Sequence, residues 1–214
     1  MKKERSDTRE TRRRILWAAS EVFAEKGFWE ATSADICMKA NANSAAVNYH
    51  FGSKENLYIE AWKHSFERAQ DTHPLDGDIS PEAPASERLH AAIRAIIQRL
   101  TDPHAHGLEI ANKEMANPTG LLTETIPKAL DPLFQTFRSI VRELHGHDAG
   151  DEQISFFIMS IMSQCFGVLS HMQAARQGFV FPITALSQEG FNLDKVTEHI
   201  TRFSLAGIRN YTKG

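Results

Sequence analysis

The sequence predicts an all-α protein in which a small helix-turn-helix unit precedes a larger helical domain. Three observations carry this. Apolar residues recur at three- and four-residue spacing along nearly the whole chain, the period of helices with one buried face. Strand-like alternation is absent, while 42% hydrophobic and 24% charged residues are ordinary for a globular protein. Between residues 32 and 52, Asn and Gly punctuate two short segments, as expected of two helices joined by a tight turn.

In the first helix Ile15, Ala18, Ala19, Val22 and Phe23 form the apolar face, and Lys26-Gly27 supplies a basic last turn and a stop. Thr32, with Asp35 three residues later, is a capping-box-like start for a second helix reaching about Ala40. Asn41 suits the left-handed backbone of a tight turn. Asn43 or Ser44 caps a third helix, Ala45 to about Phe51, which ends at Gly52. Ser53 opens a fourth, with Glu55 near its positive end and Leu57, Ala61, Trp62 and Phe66 on one side. In the third helix Val47 and Phe51 share the inward face, so Ser44, Asn48 and Tyr49 point away from it. An exposed ring beside Asn, just ahead of Lys54, needs a partner, and the phosphates and base edges of DNA fit.

Residues 11–62 resemble the DNA-binding domain of the TetR family, on Phe28, Thr32, Ser33, Asp35, Ile36, Tyr49, His50, Phe51, Ser53, Lys54, Glu55 and Leu57. Two positions depart from the family pattern: Asn41 replaces the usual turn glycine, and Asn48 replaces a common Tyr. The first is conformationally harmless; the second bears on which bases are read. The resemblance implies a DNA-binding set of Thr32, Ser33, Asn43, Ser44, Ala45, Asn48, Tyr49, His50 and Lys54. Ser44, Ala45, Asn48 and Tyr49 would enter the major groove. Thr32, Ser33, His50, Lys54 and the basic arm before Ile15 would hold phosphates.

A Pro-, Gly- and Asp-rich linker follows at 73–84. Leu89, Ile93, Ile96, Ile97 and Leu100 mark a further helix, ended by Asp102-Pro103, and another runs from about Gly107 to Asn117. Glu114-Met115-Ala116-Asn117-Pro118-Thr119 and Ala45-Ala46-Val47-Asn48-Tyr49-His50-Phe51 are similar to segments of CecR-like TetR regulators. The next helix contains Pro127 and Pro132, so it is kinked or starts late. The final two lie at about 151–176 and 192–212. In the first of them Ile154, Phe157, Ile158, Ile161, Cys165, Val168, Leu169 and Met172 form one stripe, with Phe156, Met159, Phe166 and Gly167 elsewhere. A helix apolar on several faces is buried on several faces, which predicts a homodimer through these two helices. Its interface is expected at Ile161, Cys165, Gly167, Val168, Phe203 and Gly207. The domain boundary is placed at residue 52, with 53–214 as a regulatory and dimerisation domain. The family resemblance implies an effector pocket there, assigned to Glu114, Met115, Phe137, Met159, Ser163, Gln164 and His171.

The net charge of −3 excludes a chain that is basic throughout, but its distribution is uneven. Residues 1–70 hold 12 Lys+Arg and 10 Asp+Glu, whereas the remainder holds 12 and 17. Lys2, Lys3, Arg5, Arg9, Arg12, Arg13 and Arg14 form a basic arm suited to a polyanion at one end. Cys37 and Cys165 are far apart and show no metal-ligand spacing, which predicts reduced thiols in a cytoplasmic protein. Residues 153–175 carry no Asp, Glu, Lys or Arg, yet Ser155, Ser160, Ser163, Gln164, Ser170, His171 and Gln173 interrupt the segment, a poor lipid-facing composition. No membrane partner, catalytic residue, metal or cofactor is expected. The reading is a one-component transcription regulator that binds a palindromic operator as a dimer; that it is a repressor and is released by a small-molecule effector is what the family resemblance implies. The alternatives are an activator with the same DNA contacts, or a helical metal-binding protein or enzyme using His104-x-His106 and His145-x-His147.

Overall fold

The computed structural model describes residues 2–146, 149–176, 178 and 192–211. Among them are nine helices and no strand: α1 Lys2–Glu30, α2 Ser33–Ala40, α3 Ser44–Phe51, α4 Lys54–Thr72, α5 Ala85–Thr101, α6 Gly107–Ala116, α7 Thr125–His145, α8 Asp151–Arg176 and α9 Leu193–Asn210. The side chains of residues 2–7, His147 and the apolar segment around Phe179-Val180-Phe181 lie outside this description.

The local signals act as chemistry requires. Gly27 leaves helical geometry at φ 74°, ψ 178°, a conformation that L side chains rarely adopt. Thr32 and Asp35 close a full capping box at the start of α2, and Asn41 ends that helix in the left-handed region at φ 47°, ψ 52°. Asn43 caps α3 by accepting from the Ala46 amide at 2.8 Å. The basic arm is helical: α1 continues back through it to Lys2. No Pro or Gly interrupts residues 2–14, and the Glu10–Arg13 pair at 2.9 Å has helical spacing. In α7, Pro127 lies in the first turn, where its missing N–H costs little, while Pro132 sits inside the helix.

The chain forms two compact units, Met1–Asp71 with Pro103–Ala129, and Thr72–Asp102 with Leu130–Gly214. Neither divides at residue 52. The first unit keeps α4 because Leu57, Tyr58, Ala61 and Trp62 are buried in the same core as Ile15, Ala19, Phe23 and Ile36. Ile110 of α6 and Leu122 complete that core. Directional contacts add to the burial: Phe23 meets the Tyr58 ring edge-on at 4.8 Å, and Trp62 Nε1 donates to the Gly107 carbonyl at 3.0 Å. The second unit packs Leu89, Ile93 and Ile97 of α5 with Phe137 and Ile140 of α7, Ile154, Ile161 and Cys165 of α8, and Ile200 of α9.

Candidate nucleic-acid interface

The α3 helix has only two turns, so its placement depends on which side chains it buries. Val47 and Phe51 are 3% and 6% exposed, and both join the core that contains Ile36. Their burial turns the opposite face outward: Tyr49 is 80% exposed, and Ser44, Ala45 and Asn48 are exposed beside it. The four residues expected to read bases therefore share one open face. Phe51 also anchors the arm, since the Arg12 guanidinium lies 5.1 Å from its ring centroid and bonds Glu60 of α4 at 3.0 Å.

The phosphate set divides differently. The Thr32 hydroxyl donates to an Asp35 carboxylate oxygen at 2.8 Å and accepts the Asp35 amide at 3.1 Å, while the Thr32 amide donates to the same carboxylate at 3.0 Å. Lys26 pairs with that carboxylate at 3.0 Å. The Thr32 hydroxyl thus holds the helix start, and Ser33 is the exposed hydroxyl beside it. These bonds to Thr32, then the Lys26 ammonium, lower the Asp35 carboxyl to about 2. Asn43 likewise uses its side-chain oxygen as a cap. Lys54 sits at the start of α4 with Nζ 4.3 Å from the Phe28 ring centroid, and the His50 ring lies between those of Tyr49 and Phe51 at 5.1 and 6.0 Å.

The residues expected to line an effector pocket are divided between the two units. Glu114 is buried in the first unit, where it accepts from the Tyr58 hydroxyl at 3.1 Å and from the Thr119 and Gly120 amides at 3.0 Å each. Met115, on the next position of the same helix, is 71% exposed. In the second unit Phe137 is fully buried in the core, whereas Met159 is 58% exposed and Ser163 lies on the same outward side of α8. Gln164 and His171 reach carbonyls one turn back, those of Ser160 at 3.3 Å and Gly167 at 2.7 Å.

Two expected interface residues also belong elsewhere. Ile161 and Cys165 are each 1% exposed in the core of their own unit. Burial pushes the Cys165 thiol up to about 12. The outward face of α8 instead carries Phe156, Met159 and Phe166, and α9 presents Phe203 at 63% exposure, with Gly207 exposed one turn on. Gly167 and Val168 are half-buried at the margin. Phe156 and Phe166 could have been found from their three- and four-residue spacing through Met159 and Ser163. Of the two histidine pairs, the second includes His147, which lies outside the described residues. His104 and His106 flank Trp17 at ring distances of 5.8 and 6.2 Å, and among the described residues no three His, Cys, Asp or Glu side chains group as metal ligands.

A short helix held by two apolar anchors, with a polar and aromatic face turned outward, defines a helix-turn-helix DNA-binding protein. Residues 15–61 match the family described as bacterial regulatory proteins, tetR family, and residues 85–208 match the C-terminal domain of the HTH-type transcriptional dual regulator CecR. The chain belongs to the TetR family of transcriptional regulators, with a C-terminal domain of the CecR type. It is 26% identical to the HTH-type transcriptional regulator SrpR of Pseudomonas putida over 170 residues, 79% of this chain and 76% of the relative. It is 27% identical to the dual regulator CecR of Shigella flexneri over 155 residues, 68% and 69% of the two chains. Among solved structures, a tetR-family regulatory protein from Rhodococcus RHA1 superposes with a TM-score of 0.69 at 18% identity, covering 94% of this chain and 98% of that one. AibR, solved in complex with isovaleryl coenzyme A and operator DNA, superposes with a TM-score of 0.63 at 15% identity, covering 90% and 97%. These structural likenesses concern the fold.

Proposed function

We propose that the protein is a cytoplasmic repressor that binds a near-palindromic operator as a homodimer and leaves it when a small molecule occupies the second unit. The observation that carries the reading is the outward face of α3, with Tyr49 80% exposed above a buried Val47 and Phe51. Asn48 can bond an adenine edge in two places, and Ala45 or the Tyr49 ring edge can meet a thymine methyl. Ser33, His50, Lys54 and the arm before Ile15 hold phosphates, which fixes register without reading sequence. The segment of about 1–52 thus acts as the reading part of a larger compact unit.

A second copy of the chain covers the outward apolar face of α8 and α9, where Phe156, Met159, Phe166 and Phe203 stand exposed. Gly167 and Gly207 would place no atom within 4 Å if given a Cβ, so their space is open to a partner helix. Two-fold symmetry then requires half-sites about one DNA turn, ~34–36 Å, apart or a multiple of it. The effector acts by favouring a conformer whose reading helices are wrongly spaced; equal affinity for both conformers would change nothing. The solved neighbour carrying both an acyl-coenzyme A and operator DNA supports such coupling on this fold. Phe137, Gln164 and His171 are the candidates retained for the effector on the second unit. Activation at some promoters is the second reading, favoured by the match to a relative described as a dual regulator. A mobility-shift titration with genomic fragments tests the reading: one fragment shifts at low concentration and a scrambled fragment of equal length does not.

A further inference from the structure

The first unit contains a cleft that brings Lys39, His64 and Arg68, none of them among the proposed DNA contacts, together with Arg13 and Arg14 at the end of the basic arm. It has a volume of about 620 Å³ and is lined from α1, α2 and α4 by Arg13, Arg14, Trp17, Lys39, His64 and Arg68. Four permanent cations there meet one carboxylate, Glu21, in a protein whose net charge is −3. Glu21 is engaged with Lys39 at 2.8 Å and Arg13 with Glu10 at 2.9 Å, yet three arginines and a lysine still converge on one hollow.

Arg68 is already positioned. Its guanidinium lies 4.6 Å from the Trp17 ring centroid and donates to the His104 carbonyl at 2.9 Å. Stacking on a ring and a bond to backbone hold the planar fork in one orientation, so little freedom is lost when an oxyanion meets it. The field is felt at His64, whose imidazole is lowered from its usual value first by burial. Arg68, Arg12 and Arg13 lower it further, against the opposing pull of Glu67. The volume falls within the range of about 300–1,000 Å³ typical of small-molecule sites, whereas a single backbone phosphate of DNA needs no such hollow.

We propose that this cleft is a second ligand site, for a small anion of the phosphate class carrying at least two negative charges. Arg68 and the neighbouring arginines supply paired donors to its oxygens, and Lys39 supplies a point charge from the last turn of α2. The site is separate from the effector region proposed on the second unit, so it would let one chain sense two ligands.

Inorganic pyrophosphate is the probe, titrated calorimetrically into the full-length protein in a phosphate-free buffer. The expected result is one saturating site per chain, weakened about tenfold or more by Lys39→Gln and by Arg68→Lys, as removal of a charge-assisted bond implies. Both variants should shift operator DNA as the parent does when pyrophosphate is absent, which shows that they fold. Heat that never saturates, or equal affinity in parent and variants, overturns the proposal and assigns any binding to the dispersed cations of the surface. Weakened operator binding by folded Lys39→Gln, with a flatter salt dependence and no saturable pyrophosphate site, would instead assign the cleft to DNA phosphates and also overturn it.

Discussion

The Tyr58 hydroxyl of α4 donates to Oε2 of Glu114 in α6 across 3.1 Å, and both residues are buried. The carboxylate also takes the Thr119 and Gly120 amides, so the segment after α6 is tied to the helix that supports the reading unit. Burial, then the charge and hydrogen bond of Glu114, raise the Tyr58 phenol and keep it a donor. Tyr58→Phe should lower stability by about 1.5–3 kcal/mol, the worth of a hydrogen bond to a charged group. Glu114→Ala should cost more, because it leaves four donors without their acceptor, the Tyr58 and Thr119 hydroxyls and the Thr119 and Gly120 amides, and the double variant should cost less than the two separate effects added. Urea midpoints measure all three. Glu114→Ala with parental stability and an altered effector response would return Glu114 to the effector site.

The capping box of α2 gives a pH-dependent prediction. Asp35 is lowered to about 2 in the folded chain from an ordinary 3.8. Its folded value lies below its unfolded one, so its contribution is present above about 4 and fades as pH falls towards about 2. Thermal melts of the parent and Asp35→Asn should therefore differ by a constant amount above about pH 4 and converge below it. Thr32→Ala should cost about 1 kcal/mol at neutral pH, the usual worth of an N-cap.

Much of the first unit was legible because its signals are local. Gly27, the Thr32–Asp35 box, Asn41 and Gly52 each act within a few residues, so spacing alone places α1 to α4. The role of Glu114 was not legible, since its partner Tyr58 lies 56 residues away and no local rule links them. For the same reason the return of residues 103–129 to the first unit could not be read from sequence. In α8 the difficulty was different: the helix is apolar on two sides. Periodicity marks both stripes without saying that Ile161 and Cys165 face their own core while Phe156 and Phe166 face outward.

That distinction yields a prediction about assembly. Phe203→Asp or Gly207→Arg, both on the exposed face of α9, should convert a dimer to monomers while leaving the fold intact, because neither site is needed for packing within the protomer. Native mass at micromolar concentration measures this. A parent protein with the mass of one chain would contradict the proposed assembly.

The central claim is that the outward face of α3 reads DNA sequence while its flanks grip phosphate. It is tested most directly by operator affinity across a salt series, with each half-site position substituted in turn, for the parent, Asn48→Ala and Lys54→Ala. Asn48→Ala should cost about 1–3 kcal/mol and relax preference at one position per half-site, at unchanged salt dependence. Lys54→Ala should weaken every sequence alike and flatten the salt slope by about one unit for each phosphate no longer neutralised. If both variants bind every operator substitution as the parent does at all salt concentrations, this face of α3 is not the reading surface.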